Sequence, residues 1–383
     1  MAAKAMMTDH SDDAPSGAPA PRRRRPRYSG THPKRFEQRY KELDPAAYPE
    51  TQDHVRDQGR TPAGTHVPVL VEEVLVALRP QPGDIVADCT IGWGGHALEF
   101  IRRIGPTGRL IGLDVDTAQI ERTAARLAAR TLPADNPGSE ATAASRAQVS
   151  LHRSHFAGLG KFLAGEGLDG YDVVFADLGV SSMQIDDPSR GFSYKYDGPL
   201  DMRMDDRLPR TAADLLAQLS VDELSACLVE LADEPHAERI ARCIVRSRAV
   251  QPIARTRQLV NLVFEAKGIS RRDWRDRPTH QRGQLHPAAR TFQALRMLVN
   301  DEMAGLAQFL RIAPHCLRSG GRIGIISFHS GEDRQIENEL RDGLQAETYA
   351  AIVETPIRPT SNEIAANPRA RSAIFRWAVK ATD

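Results

Sequence analysis

The run Asp84-Ile-Val-Ala-Asp-Cys-Thr-Ile-Gly-Trp-Gly-Gly-His96, followed by Leu110-Ile-Gly-Leu-Asp114, reads as a buried strand, a glycine-rich turn, a helix, and a second strand ending in a carboxylate. Gly92, Gly94 and Gly95 have no Cβ, so the turn tolerates positive φ and a ligand can approach the backbone closely. Asp114, at the tip of the second strand, is placed to accept hydrogen bonds from ribose hydroxyls. This is a nucleoside site. A dinucleotide calls for G-x-G-x-x-G with a pyrophosphate on the helix N-terminus, and the glycines here run G-x-G-G. Asp88 puts a carboxylate near the loop, which repels a pyrophosphate and suits the ammonium or sulfonium of S-adenosylmethionine. The pattern favours the methyl donor. A ligand-free strand-turn-helix corner is the competing reading.

Working outward, strands are expected at 84–89, 109–113, 148–151 and 171–177, with helices at 95–104, 116–130 and 156–164. Repeated βα units imply a parallel sheet covered on both faces. From 211 to 313 the strand pattern stops and amphipathic helical stretches take over, at 211–218, 221–231, 234–248, 255–267 and 288–312. Strand-like sequence returns at 322–327 and 373–379. The expected organisation is a basic, disordered extension over 1–60, an α/β domain over 61–205, a helical insertion over 206–287, and the rest of the α/β domain over 288–383.

Ligands in such sheets lie beyond the carboxyl ends of the strands. After 171–177 comes Asp177-Leu-Gly-Val-Ser-Ser-Met-Gln-Ile-Asp186, where Asp177, Ser181, Ser182 and Gln184 are candidates. The competing reading of Asp177 is a helix cap or ordinary loop solvation. Phe156 follows the third strand and could stack on adenine or simply fill the core. The returning strand ends in Ser327-Phe-His-Ser330, so His329 is a candidate proton acceptor or orienting group, with a structural histidine as the alternative. Segment 190–204 mixes aromatics with Arg, Lys and Asp without a helical or strand period, which suits an extruded base and its phosphates.

Charge points the same way. The chain of 383 residues has a net charge of only +1, yet residues 239–296 hold fourteen Arg and Lys against three acids. A solvated face mixes signs, so this region is expected to touch nucleic acid. Arg22, Arg23, Arg24, Arg25 and Arg27, with Tyr28, Phe36 and Tyr40, read as an RNA-clinging arm or a solvated tail. Residues 131–147 read as a surface insertion. Four scattered cysteines, Cys89, Cys227, Cys243 and Cys316, read as buried thiols of a reducing cytosol. No apolar run approaches a membrane span, and no secretory signal is expected.

The assembled motifs resemble those of the bacterial small-subunit (16S) rRNA cytosine-N4 methyltransferases, the MraW-type family. The matching runs are His66-Val-Pro-Val-Leu70, Gly92-Trp-Gly-Gly-His96, Asp177-Leu-Gly-Val-Ser-Ser182, Arg190-Gly-Phe-Ser193, Gly198-Pro-Leu-Asp-Met-Arg-Met204, the run from His286 to Arg296, Ser327-Phe-His-Ser330 with Glu332-Asp-Arg334, and Asn367-Pro-Arg-Ala-Arg-Ser-Ala373. The resemblance implies a Rossmann-like class I methyltransferase sheet with an inserted all-helical domain. It implies methylation of the exocyclic amine of a cytosine in the decoding region, acting on 16S rRNA or the small ribosomal subunit. Donor contacts would fall on Gly94, Gly95, His96, Asp114, Phe156, Asp177 and Gln184. Three departures stand out: the N-terminal extension, Gly331 in place of a leucine, and a shortened stretch between Arg334 and Asn367.

Many amino-methyltransferases place Asp/Asn-Pro-Pro-aromatic at the acceptor loop, whereas this chain has Asp177-Leu-Gly-Val180. The residues alone therefore give methyl transfer to nucleic acid, and cytosine N4 comes from the resemblance. The transfer calls for no metal, only alignment of the amine with the methyl group and an acceptor for its proton. A dehydrogenase and a non-catalytic RNA-binding factor stay open as alternatives, and the sequence does not decide between monomer and homodimer.

Overall fold

Period-two alternation explains the sheet. Ile85 and Ala87 of β1 (Ile85–Asp88) join the apolar cluster on one face, and Val86 joins the cluster on the other. In β4 (Tyr171–Asp177), Val174 and Ala176 face one way, Val173 and Phe175 the other. Both faces are covered, so both residue sets are apolar. The computed structural model describes residues 68–130, 147–278 and 284–382, leaving aside the side chains of residues 129 and 130. The basic extension, nearly all of the 131–147 insertion and Arg282 lie outside the described residues.

The sheet has seven strands in the order β3-β2-β1-β4-β5-β7-β6. β2 is Arg109–Asp114, β3 Gln148–Arg153, β5 Leu317–Ser327, β6 Tyr349–Ile352 and β7 Ile374–Lys380. β1 through β5 pair in parallel, while β7 runs antiparallel to both β5 and β6. This is the expected Rossmann-like class I methyltransferase sheet. Its order reverses between β1 and β4, so a crevice opens beyond Asp88 and Asp177, the carboxyl ends of those two strands. β6 was not anticipated: at four residues, with one fully buried, it carries too little pattern to read.

Of the helices, α1 (Val71–Leu78) and α2 (Gly95–Ile104) cover one face. α3 (Thr117–Arg130) and α4 (Leu159–Gly165) follow β2 and β3, and α5 (Ser182–Asp186) follows β4. Then come α6 (Ala212–Gln218), α7 (Val221–Ala232), α8 (Ala237–Arg248), α9 (Thr256–Lys267) and α10 (Arg271–Asp276). The single helix expected over 288–312 is two: α11 (Ala289–Asn300) and α12 (Glu302–Cys316), separated at Asp301, whose φ of 49° lies in the left-handed region. α13 (Ser330–Gln345) and α14 (Ser361–Ala366) complete the set. The helices from α6 to α11 share an apolar core of their own. It reaches from Phe192 to Val299 and takes in residues on both sides of the 206–287 insertion.

Cys89, Cys243 and Cys316 are buried as expected, while Cys227 is half-buried; all four are free thiols. Among the described residues no helix is long and apolar enough to cross a membrane.

Candidate active site

The glycine turn is built before any ligand is considered. Gly92 has φ 46° and Gly94 φ 72°, conformations that side chains resist. The Gly92 N–H donates to Asp114 Oδ2 (3.0 Å), and Asp114 Oδ1 accepts from the Asp116 N–H (2.9 Å). Asp114 thus ties the tip of β2 to the turn, and lone pairs remain on both oxygens. Gly94 is committed to the frame: its N–H donates to the Ile91 carbonyl, and its own carbonyl accepts from the Leu98 N–H. A Cβ there would stand 2.8 Å from Thr123 Cγ2. One on Gly95 would meet Pro68 at 2.9 Å.

Two strand-end carboxylates sit side by side at the switch point. Asp88 is 2% exposed and accepts from the Thr90 N–H (3.3 Å). Burial pushes its carboxyl up to about 7, with Asp114 adding to the rise. Asp177 is pushed up to about 8 by burial, then by the charges of Asp88 and Glu332. Burial also lifts Asp114, to about 6, against the backbone N–H groups that favour its ionised form. Asp177 Oδ1 is buried with no hydrogen-bond partner. His96 lies beside it: Nε2–H donates to the Val69 carbonyl (2.9 Å), and Nδ1 stands 3.9 Å from Asp177 Oδ2.

The loop after β4 has a defined job. Ser181 caps α5 by accepting from the Gln184 N–H (3.3 Å), and it also accepts from Gln119 Nε2 (2.6 Å). Gln184 returns the favour by accepting from the Ser181 N–H (2.9 Å), while its amide donates to Asp116 Oδ2 (3.1 Å). Arg190 Nη1 donates to the same oxygen at 2.6 Å. Burial raises the Asp116 carboxyl, but Arg190 and Gln184 outweigh it and hold the group below its ordinary value.

A third wall comes from α11 and α12. Arg296 grips Glu302 in a two-pronged pair (2.7 and 2.8 Å). Asn300 accepts from the Met204 N–H and donates to the Met202 carbonyl, so it fastens the 198–204 segment to α11. Glu332 accepts from the Phe328 N–H (3.0 Å); burial raises its carboxyl, yet His329, Arg296 and that N–H together hold it low.

These walls enclose a cavity of about 1080 Å³. Gly95, His96, Asp114, Phe156, Asp177, Ser181, Ser182 and Gln184 all line it. Two candidates do not. Gly94 sits against Thr123 in the helix frame. His329 caps α13, its Nδ1 accepting from the Glu332 N–H (3.3 Å) and its Nε2 standing 3.0 Å from Glu332 Oε1; it orients Glu332 and is not in the lining. Asp88 is likewise behind the lining, where its neighbours Cys89 and Thr90 stand.

Segment 190–204, expected to contact RNA, is largely packed or paired, and only part of it is left for a ligand. Phe192, Leu200 and Met202 are buried in the helical core. Arg190 is spent on Asp116 and the carbonyls of Arg203 and Met204. Arg203 is spent on Asp201 and the Leu208 carbonyl. Lys195 is exposed. The residues missed were Arg296, Asn300, Glu302 and Glu332. Arg296 was counted as charge, and Arg296 and Glu332 both fall in matching runs, but neither was given a role in the site, and buried carboxylates of helices such as Glu302 carry no local signal.

A family model described as the MraW methylase family matches residues 63–381. The chain is 39% identical over 363 residues to a protein named ribosomal RNA small subunit methyltransferase H 1 of Lachnoclostridium phytofermentans, covering 94% of this chain and 93% of that protein. It is 40% identical over 361 residues to ribosomal RNA small subunit methyltransferase H 2 of Alkaliphilus metalliredigens, covering 94% and 98%. Among solved structures, an rRNA methylase from Streptococcus thermophilus aligns with a TM-score of 0.35 at 9% identity, covering 82% of this chain and 94% of that one. A likeness that slight carries no weight.

Proposed function

The chain belongs to the MraW methylase family, and from that premise we propose that it methylates the exocyclic N4 amine of a cytosine in the decoding region of small-subunit (16S) rRNA, with S-adenosylmethionine as donor. The observation that carries the reading is the cavity at the switch point. At about 1080 Å³ it exceeds what one ligand of that size needs, and so it suits a donor and an extruded nucleotide together. Bound there, S-adenosylmethionine supplies an electrophilic methyl group on its sulfonium. The residues present fit it: Asp114 and Asp177 line the cavity with Asp88 behind them, carboxyls whose ionised form a bound cation would favour, and Asp177 Oδ1 is an orphaned acceptor. The same acids disfavour a pyrophosphate, hence a dehydrogenase.

Asp114 would hold the ribose hydroxyls with its remaining lone pairs. Gly95 keeps the turn close to the ligand, and Phe156, half-buried edge-on to Phe309, offers a ring for the adenine. Asp177 would accept from the cytosine amine as charge develops on nitrogen, and the amine then loses its proton to this carboxylate or to water. Ser182 is the neighbouring hydroxyl. Ser181 and Gln184 act by shaping α5, since the cap and Asp116 already hold them. The acceptor is 16S rRNA or the small subunit, in the cytoplasm.

The test is nucleoside mass mapping. Small-subunit rRNA from cells lacking this protein should lack N4-methylation at one cytosine, and purified protein with labelled donor should restore it. Restoration at another atom or another RNA overturns the N4 assignment. Asp177→Asn should lower single-turnover transfer about 100-fold.

A further inference from the structure

A second cavity of about 390 Å³ lies in the helical layer, between the Tyr194–Asp197 turn, α9, α10 and His286. Its walls are aromatic and cationic. Tyr194 stacks on His286 with centroids 4.3 Å apart and rings 12° from parallel. Phe264 and Trp274 meet the same imidazole edge-on, at 5.5 and 5.8 Å. Lys195, Arg257, Arg271 and Arg275 line the opening and are exposed. Asp197 also lines it, but that carboxylate is taken by Arg255 (2.9 Å) and the Arg257 N–H (3.3 Å). Arg275 pairs at the surface with Asp276 (3.1 Å), and the Arg257 guanidinium forms no ion pair among the described residues. The positive charge around the cavity is felt inside: burial, then Arg271, Arg277, Lys195 and Lys267, push His286 down to about 4, so it is a neutral ring at physiological pH.

Tyr194 and Lys195 line both cavities, so the two adjoin. We propose that this second cavity is a nucleotide subsite for single-stranded RNA, seating the base of a nucleotide that flanks the target among Tyr196, Trp274 and His286 and pairing its phosphate with Arg257 and Arg275. The volume falls within the range that holds one small ligand, about 300–1,000 Å³. Aromatic walls take any base by its π-face, and guanidinium groups at the mouth take the phosphate. The seat holds the neighbour while the target base enters the larger cavity. The proposal rests on the RNA-methylating reading above.

The test uses the full chain and a labelled ten-nucleotide single-stranded RNA of mixed sequence, with binding followed by fluorescence anisotropy across salt. Arg257→Glu should weaken binding about tenfold and make the salt dependence shallower by about one ion. For small-subunit rRNA as substrate, KM should rise about tenfold, with kcat within about twofold and donor affinity unchanged, which also reports that the variant is folded. Arg257→Gln should weaken binding less than the reversal. RNA should quench wild-type tryptophan emission, and Trp274→Phe should reduce that quench, leaving what Trp93 of the larger cavity contributes. Equal binding and slope in wild type and Arg257→Glu overturn the phosphate seat. A full quench in Trp274→Phe, or competition by inorganic phosphate as strong as by cytidine 5′-monophosphate, overturns the base seat. A chain that binds the RNA through this pocket but transfers no methyl group sinks the methylation reading and leaves the subsite standing.

Discussion

Asp177 shows how one residue's surroundings set a solution property. Its folded carboxyl titrates near 8 and those of Asp88 and Asp114 near 7 and 6, all above the ordinary carboxylate value of about 4. A raised carboxyl means the native state holds its proton more tightly than the unfolded chain. That stabilisation is complete below about pH 4 and is lost as pH rises through 6 to 8. A cationic donor reverses the preference, because it favours the ionised carboxylates. Donor affinity should therefore strengthen from pH 6 to pH 8, with protons released on binding. Calorimetry in two buffers of different ionisation enthalpy measures that release. Asp177→Asn should lower it relative to wild type, and the donor's own amine titrates alike against both proteins. Equal release would assign the linkage to Asp88 and Asp114.

At the scale of the element, the informative piece is the stretch from Pro188 to Met204, which has no regular period and still packs. Its short helical turn Pro188–Arg190 presents Arg190 to Asp116, and two carbonyls of the same stretch fold back onto the guanidinium. Gly198 is required where it stands, since a Cβ would lie 1.8 Å from the Pro188 carbonyl oxygen. Arg190→Ala leaves Asp116 buried without its cation and should cost about 3 kcal/mol of stability in a denaturant titration. The salt slope of RNA binding should stay unchanged, because this guanidinium meets no phosphate. A variant of wild-type stability with a shallower slope would put Arg190 on the RNA instead.

At the scale of the whole molecule, α11 belongs to two systems at once. Phe292, Leu295 and Val299 fill the helical core, while Arg296 and Asn300 line the larger cavity. The described residues all fall within one compact unit, Glu42–Asp383. The helical core also holds a buried ion pair, Lys267 with Glu234 (2.8 Å), whose side chains are 9% and 0% exposed. Lys267→Met strands the Glu234 carboxylate and should cost about 3–5 kcal/mol. Because α11 is shared, scanning calorimetry should still show a single transition at a lower temperature. A second, earlier transition with the donor site intact would make the helical layer an independent domain.

The strand-turn-helix run from Asp84 to His96, the tip residue Asp114 and the alternation of β and α units were legible because they rest on local physics: period, glycine dihedrals and the place of a strand's end. The class of sheet and the candidates Asp114, Asp177 and Phe156 followed from them. Other features depend on partners far away in the chain. Gly94 and His329 carry family motifs, yet they brace the frame against Thr123 and Glu332. Of the basic residues in 239–296, Arg248, Lys267, Arg290 and Arg296 are taken up by carbonyls and carboxylates of the chain itself. Sequence counts those charges, but only the tertiary structure decides which are left for a ligand, because burial and pairing set the energy of a charge and neither is a property of neighbours along the chain.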